Sequence, residues 1–350
     1  VARLHVHLRD RRKERGWSQS ELANRAGVSR QTVSGIEAGH YGPSVDVALR
    51  LSGALGCRIE DMFVLDPGLP EIEVEGVGDV PDSPERVALA EIAGRIIARP
   101  LRSGGAVPWS PGHGVAKGSA RGRWAVERFA GAEPAVFLAG CDPALGLLAA
   151  HLGSRGFWWP AGNRGALEQL ARRQVHAVGV HRPAGAKETT APLPVRRIRL
   201  GWRQIGWIVP RGNPKAFRGA YDLEGDRMRL INREEGSGAR ALLDDLLGAV
   251  GLDETDVRGY ETRAADHYQV AVAVALGAAD VGIGVEAAAR QMGCDFLPIA
   301  PEVCDIWIAR GEEGDRGVTA LLDTLTSGAF RQDLGAFGDY DSRETGEDLS

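Results

Sequence analysis

Four cysteines in 350 residues are few, and Cys57, Cys141, Cys294 and Cys304 stand too far apart for a disulfide framework or a zinc-ligand pattern. That excludes a small cross-linked scaffold and a metal finger, and the thiols are expected to be reduced. No apolar run approaches the ~20 residues of a membrane span, so no membrane partner is expected. The charged opening residues give no signal-peptide pattern, and a cytoplasmic location is expected. Lysine is scarce: Lys13, Lys117, Lys187 and Lys215 are the only lysines among 42 basic residues. Such a bias follows GC-rich coding, common in bacteria, and carries no functional information.

Nor is there an excess of positive charge. The net charge is −5, which taken whole speaks against a nucleic-acid binder. Divided, it says the reverse. Residues 1–65 hold ten basic and seven acidic side chains, a net of +3, and the remainder therefore carries −8. A basic end on an acidic body fits a DNA-binding head attached to something else. Hydrophobic content of 43% and charged content of 25% are those of an ordinary globular protein. The length allows two or three domains.

The most informative stretch runs from Trp17 to Gly39, WSQSELANRAGVSRQTVSGIEAG. It reads as two short helices and a tight turn. Ser18 caps the first, with Glu21 as its capping-box partner. Leu22, Ala23 and Ala26 form its apolar face, and Gly27 ends it. Ser29 caps the second helix, whose buried positions are Val33 and Ile36. Arg30, Gln31, Thr32 and Ser34 are left facing outward. Those residue types suit base edges in a major groove: Arg reads guanine, Gln reads adenine, and Thr meets a thymine methyl. The stretch resembles the helix-turn-helix of Xre-type, lambda-repressor-like regulators. The resemblance implies operator-DNA binding, with Gln19 at a helix start and Ser29 beside the outward set as further contacts, and a homodimer.

Around it, Leu4–Arg15 reads as a first helix, Ser44 caps another that ends at Gly56, and Glu60–Phe63 makes a last turn. Five helices thus form an all-α head over residues 1–65. Residues 66–84, rich in Pro and Gly, read as a linker with a short strand at Glu71–Val77. Residues 85–134 are a connecting segment of undetermined fold. Within it, Val87–Leu101 fits strand or helix, Ser103–Gly122 an exposed loop, and Trp124–Phe129 a strand. From Ala135 strands and helices alternate, which implies a mostly parallel sheet covered by helices. Arg196–Pro210 is a long extended crossing. Residues 338–350 are polar and read as a disordered tail.

Two α/β halves joined by extended crossings suggest a type II periplasmic-binding-protein fold over residues 135–337, with a ligand between two lobes. The phrases Gly212-Asn213-Pro214, the run Asn232–Asp244, Gly259-Tyr260 and Gly277–Gly284 resemble a binding-protein-like domain found with molybdopterin-biosynthesis proteins and helix-turn-helix regulators. They are also similar to periplasmic molybdate- and tungstate-binding proteins. The resemblance implies a sensor of a small anionic ligand, molybdate or tungstate or a molybdenum-cofactor-related compound such as a pterin. No covalently held cofactor, metal site or catalytic set is expected.

The residues agree in part. Ser237 and the N–H groups of Gly238 and Ala239 can wrap an anion at a helix start, and Arg240 adds charge. Cys141, Asn163 with Arg164, and His267 with Tyr268 head other candidate helices. His151, His176 and His181 are weaker candidates, since a buried strand histidine is more often a structural hydrogen-bonder, and Asp280 and Glu302 read as helix-end or hinge residues. Only Ser237 supplies a hydroxyl, where oxyanion sites usually have several. Trp109, Trp124, Trp158, Trp159, Trp202 and Trp207 could line a cleft for a flat ring. Two other functions compete: an oxyanion or cofactor storage protein, and an enzyme using Cys141 with His267 and Glu234.

Overall fold

The computed structural model describes residues 3–66, 70–79, 83–101, 110–120, 123–312, 314–338 and 340–350. The chain divides into two compact units, residues 1–71 and 72–350.

The first unit comprises strand β1 (Arg3–Val6), helices α1 (Leu8–Glu14), α2 (Gln19–Ala26), α3 (Arg30–Glu37), α4 (Val45–Leu55) and α5 (Ile59–Met62), and strand β2 (Phe63–Asp66). The helices begin where side chains can satisfy orphan N–H groups. Ser18 and Glu21 form a reciprocal capping box on α2, and Ser29 and Ser44 cap α3 and α4. Gly27 takes φ 63° at the end of α2, the left-handed geometry that lets the chain turn at once into α3. Leu8, Leu22, Val33, Ile36, Leu51 and Met62 are fully buried together. The expected first helix starts later than the sequence reading has it. Leu4 and Val6 belong instead to β1, which pairs antiparallel with β2, Val6 opposite Phe63. The partner strand lies some 60 residues away in sequence, so local pattern could not reveal it.

The second unit opens with a small closed barrel of β3 (Glu71–Gly76), β4 (Glu85–Ile92), β5 (Arg95–Pro100), β6 (Gly114–Ala120) and β7 (Arg123–Arg128), in the order β3-β5-β4-β6-β7. Val74, Val87, Leu89, Ala98, Ala116, Trp124 and Val126 fill it. A Cβ on Gly76 would collide with the Trp124 indole, so glycine is what lets that ring close the barrel. The connecting segment is thus a β-barrel, and β3 draws the second part of the expected linker into it. Strand β6 corrects the loop reading over Gly114–Ala120, pairing on both sides against β4 and β7; residues 103–109, 121 and 122 of that reading lie outside the described residues. Trp109, named as a ring for the cleft, lies outside the described residues.

The rest is one eight-stranded sheet with helices on its faces. Its elements are β8 (Val136–Ala139), α6 (Ala144–His151), β9 (Gly156–Trp159), α7 (Asn163–Ala171), β10 (Ala177–Pro183), β11 (Val195–Val209), β12 (Leu230–Arg233), α8 (Gly238–Val250), β13 (Arg263–Ala264), α9 (His267–Ala275), β14 (Val281–Val285), α10 (Glu286–Gln291), β15 (Asp295–Ala309), α11 (Arg316–Thr326) and α12 (Gly328–Phe337). The strand order is β13-β12-β14-β11-β15-β10-β8-β9. The 15-residue strands β11 and β15 lie antiparallel in the middle and are the two crossings between halves. Beyond them the pairs β8–β9, β8–β10 and β12–β14 are parallel, as strand–helix alternation demands.

The polar tail is ordered, which corrects the expectation of disorder. It lies along β11: Asp341 bridges Trp202 and Asp348 bridges Ile198. Tyr340 and Thr345 are buried, and Thr345 donates its hydroxyl to Leu200 O at 2.7 Å. Composition alone suggested solvation. The unpaired backbone of β11 and an acceptor deep in the unit supply what composition could not show.

Candidate functional site

Strand β8 ends in Gly140-Cys141-Asp142, immediately before α6. A Cβ on Gly140 would sit 3.0 Å from Gly179 O on β10 and press on Leu145, so glycine is what brings this turn so close to β10. Cys141 and Asp142 are thereby buried, 3% and 2% exposed. A chain of polar contacts starts at the thiol. Cys141 Sγ is 3.0 Å from His181 Nε2 on β10. His181 Nδ1 is 3.2 Å from Glu302 Oε1 on β15. Arg203, on β11 and cross-strand from Glu302, donates to Glu302 Oε2 at 3.1 Å and lies 3.0 Å from Asp142 Oδ2. Asp142 Oδ1 accepts from Ala144 N at 2.8 Å and from the Tyr340 hydroxyl at 2.5 Å. Five stretches of chain converge, and each supplies a group that would be costly to bury alone.

The charge states follow from this packing. Burial opposes ionisation of Cys141, but the adjacent His181, with Arg233 and Arg203 beyond, brings the thiol below its ordinary value. Burial likewise opposes a charge on His181, yet Cys141 and Glu302 raise it to about 10. Glu302, also disfavoured by burial, falls to about 2 beside His181 and Arg203. Cys141 and His181 thus each favour the other's charged form, and Glu302 orients the imidazole.

The other half of the sheet brings Arg233 and the N-termini of α8 and α9. Arg233 is 1% exposed; it holds Glu234 through two hydrogen bonds and donates to His267 Nδ1 at 3.1 Å. A guanidinium can only donate, so the His267 proton sits on Nε2. That N–H is buried and has no partner among the described residues. Burial, then the charges of Arg233, Arg203 and His181, push His267 well below its ordinary pKa, so it stays neutral. Its ring centroid lies 6.5 Å from that of His181. Ser237 caps α8 by accepting from Arg240 N, and the N–H groups of Gly238 and Ala239, in the first turn, have no acceptor within the helix itself. An ideal Cβ on Gly238 would lie 3.2 Å from His181 Cε1, so this helix end abuts the imidazole. The halves meet again where Gly162 faces Glu234 and where Arg164 lies over Gly236.

Of the expected ligand residues, Cys141, Gly238, Ala239 and His267 therefore gather at one place. Ser237 is buried there as a cap. Asn163 acts on His181: its side chain donates to His181 O at 2.6 Å and accepts from His181 N at 3.3 Å. Arg164 is exposed at the rim. Two residues are not brought in. The Arg240 guanidinium stacks on Tyr260, 4.8 Å from its ring centre, because it projects about 200° around α8 from Gly238. The Tyr268 hydroxyl reaches Gln291 on α10. His181 and Glu302, read as structural, are central; of the other two histidines, His176 is buried against Phe137 N and Glu91 O, and His151 pairs with Asp333. The groups next to Cys141 are His181 and Glu302, whereas His267 and Glu234, considered with it above, are both held by Arg233. A signal was available: Asp142, Arg203 and Glu302 are ionisable groups inside or beside runs that must be buried, and such groups need partners.

Four of the named tryptophans are packed elsewhere. Trp124 fills the barrel, Trp159 lies against Phe137 and under Arg99, Trp207 meets Phe217, and Trp202 sits beside Arg199 and Glu344. Trp158 donates to Gly140 O, behind the Cys141 turn. Among the described residues no group of three or more His, Cys, Asp or Glu could hold a metal ion, and no helix is long and apolar enough to cross a membrane.

In the first unit, Arg30, Gln31 and Ser34 are exposed on α3 and their side chains have no partner among the described residues. Thr32 and Ser29 share a hydrogen bond at 2.8 Å, and Ser29 also accepts from Thr32 N at 2.9 Å. Gln19 donates to Glu37 Oε2 at 3.0 Å, and Glu37 is held by Arg12 through two bonds of 2.6 and 2.9 Å. That buried clamp fixes α1, α2 and α3 together.

Comparison with known proteins agrees with both parts. Residues 8–62 match the family described as helix-turn-helix, and residues 146–326 match the PBP superfamily domain. The chain is 33% identical over 228 residues to the uncharacterized protein YvgK of Bacillus subtilis, covering 61% of this chain and 73% of that one. Over 64 residues it is 52% identical to an uncharacterized HTH-type transcriptional regulator of Methanothermobacter thermautotrophicus, covering 18% of this chain and 93% of that one. An ABC-type phosphate transport receptor from Vibrio cholerae aligns with a TM-score of 0.40 at 12% identity, over 59% of this chain and 98% of that one. The chain belongs to the PBP superfamily and carries an Xre-type helix-turn-helix domain ahead of its binding-protein-like body.

Proposed function

We propose that this protein is a ligand-responsive transcriptional regulator. The helix-turn-helix binds operator DNA, and the body senses a small anionic ligand between its two lobes. What carries the reading is one chain holding both a recognition helix with unengaged Arg30, Gln31 and Ser34 and, where the two halves of the sheet meet, a buried imidazole donor without a partner among the described residues. In the head, Arg30, Gln31, Thr32 and Ser34 face bases, while Gln19 and Ser29 lie at helix starts suited to phosphate. The protein acts as a cytoplasmic homodimer on half-sites about one helical turn, ~34 Å, apart.

The ligand is an anion because His267 Nε2–H and the N–H groups of Gly238 and Ala239 are donors awaiting an acceptor. Molybdate, tungstate or a molybdenum-cofactor-related compound is the class that family resemblance suggests. Trp124, Trp159, Trp202 and Trp207 are packed elsewhere and offer a pterin no ring, whereas Trp158 donates to Gly140 O beside Cys141. A thermal-shift screen of molybdate, tungstate, sulfate, phosphate and pterins, followed by gel shifts with the stabilising compound, tests this. An oxyanion should stabilise the protein and change operator affinity. Stabilisation without any change in operator affinity would favour a storage protein instead. Stabilisation only by neutral or cationic compounds would sink the anion.

A further inference from the structure

We propose that Cys141 is a nucleophile that captures a small carbonyl compound covalently where the two halves of the body meet. This rests on that meeting place being the ligand site, as above, and adds a bond-forming step to it. Three observations meet. First, Cys141 Sγ, His181 and Glu302 stand in line at 3.0 and 3.2 Å, the order of nucleophile, proton carrier and orienting carboxylate. Asn163 fixes the His181 backbone and Arg203 fixes Glu302, so the line is held from both sides. Second, the start of α8 is pressed against the His181 ring at Gly238, where a side chain would intrude. Third, the His267 Nε2–H beside His181 is fully buried and without a partner.

A thiolate calls for an electrophilic atom, and the donors call for an oxygen that becomes negative. A bare oxyanion meets only the second demand and sets negative oxygens against the sulfur. A carbonyl meets both. In the step, a sulfur lone pair forms the C–S bond and the C=O π pair moves to oxygen. The proton on His181 Nε2 then passes to that oxygen. The product is a hemithioacetal beside a neutral imidazole; no group leaves and no oxidant is consumed. Capture therefore discharges the buried thiolate–imidazolium pair.

Glyoxylate, an aldehyde that also carries an anionic group, is the probe. The full-length protein is mixed with glyoxylate labelled with carbon-13 at the aldehyde, and carbon NMR is recorded. A saturable hemithioacetal signal is expected, lost in Cys141→Ala and in Cys141→Ser. Glyoxylate should also slow alkylation of Cys141 by iodoacetamide, while glycolate, the corresponding alcohol, should not. His267→Phe should weaken capture by about tenfold, the effect of one lost hydrogen bond to the new oxygen. No such signal in the wild-type protein, a signal that survives Cys141→Ala, or equal protection by glycolate overturns the proposal. Molybdate-dependent thermal and gel shifts of the wild-type protein separate the two readings: if they occur while no adduct forms, the covalent step alone fails. If no tested compound alters stability or operator binding, the sensor reading fails as well.

Discussion

The head and the body use polar groups in opposite ways. In the head the contacts that shape the helix-turn-helix are mostly local: Ser18 with Glu21, Ser29 with Thr32, each three residues apart and solvent-exposed. In the body the contacts from Tyr340 through Asp142, Arg203, Glu302 and His181 to Cys141 join residues between 40 and 198 positions apart, all buried. An exposed local contact contributes little and can be lost singly. A buried network has no water to replace a missing member, so each loss leaves an uncompensated charge. The head keeps its specific side chains outside, ready for a partner, whereas the body encloses them. One long-range contact in the head, the Arg12–Glu37 clamp, follows the body's rule on a smaller scale.

The sharpest test of this contrast is Arg203→Met. It leaves Asp142 and Glu302 without their cation and should cost the body about 3–5 kcal/mol. Hydrogen exchange read by segment should show faster exchange in residues 135–337 and none of the change in residues 8–62. Equal loosening of both would break the comparison. Next comes Arg30→Ala, which should cost about 1–3 kcal/mol in operator binding, at one base position, with stability unaltered. Uniform weakening on all sequences would instead make Arg30 a phosphate contact.

Histidine pH dependence gives the third test. His267 is held neutral with its pKa well below the ordinary value. The unfolded chain therefore takes up that proton first, and stability falls as pH drops below about 6.5, by up to about 1.4 kcal/mol per unit. In His267→Asn that dependence should flatten. His181 has the opposite sign: raised to about 10, it contributes stability fully below about 6.5 and loses it as pH rises toward 10. Denaturant titrations across pH 4 to 10 distinguish them; an undiminished loss of stability below about pH 6.5 in His267→Asn would contradict the assigned direction of its shift. The smallest effect belongs to Ser18→Ala, about 1 kcal/mol for a lost cap, confined to the head.

The helix-turn-helix was legible because its information is local. Caps, spacing and the turn glycine each act within one or two helical turns, and α2 and α3 form where those signals stand. The body's alternation of strand and helix was legible for the same reason. The barrel was not: β6 is built of small residues that read as loop, and only its neighbours β4 and β7 make it a strand. The tail was not, because its partners on β11 lie about 140 residues upstream. Cys141, Gly238, Ala239 and His267 were recognised as helix starts, which is a local property. His181 and Glu302 were passed over, because a histidine and a glutamate on strands look structural until the cross-strand register sets them beside a thiol and a guanidinium.

The sequence by itself determined where helices begin and end, which faces are apolar, and that a basic head precedes an acidic body, because each depends on composition and short spacing. Only the tertiary structure decided which ionisable groups share a buried space. Pairing partners are chosen by the order of strands in the sheet, and the sign of each charge by what that order places within hydrogen-bonding reach. Arg240 shows the difference: its position at a helix start was readable, but the turn of the helix that carries it to Tyr260 and away from His181 depends on how α8 is docked.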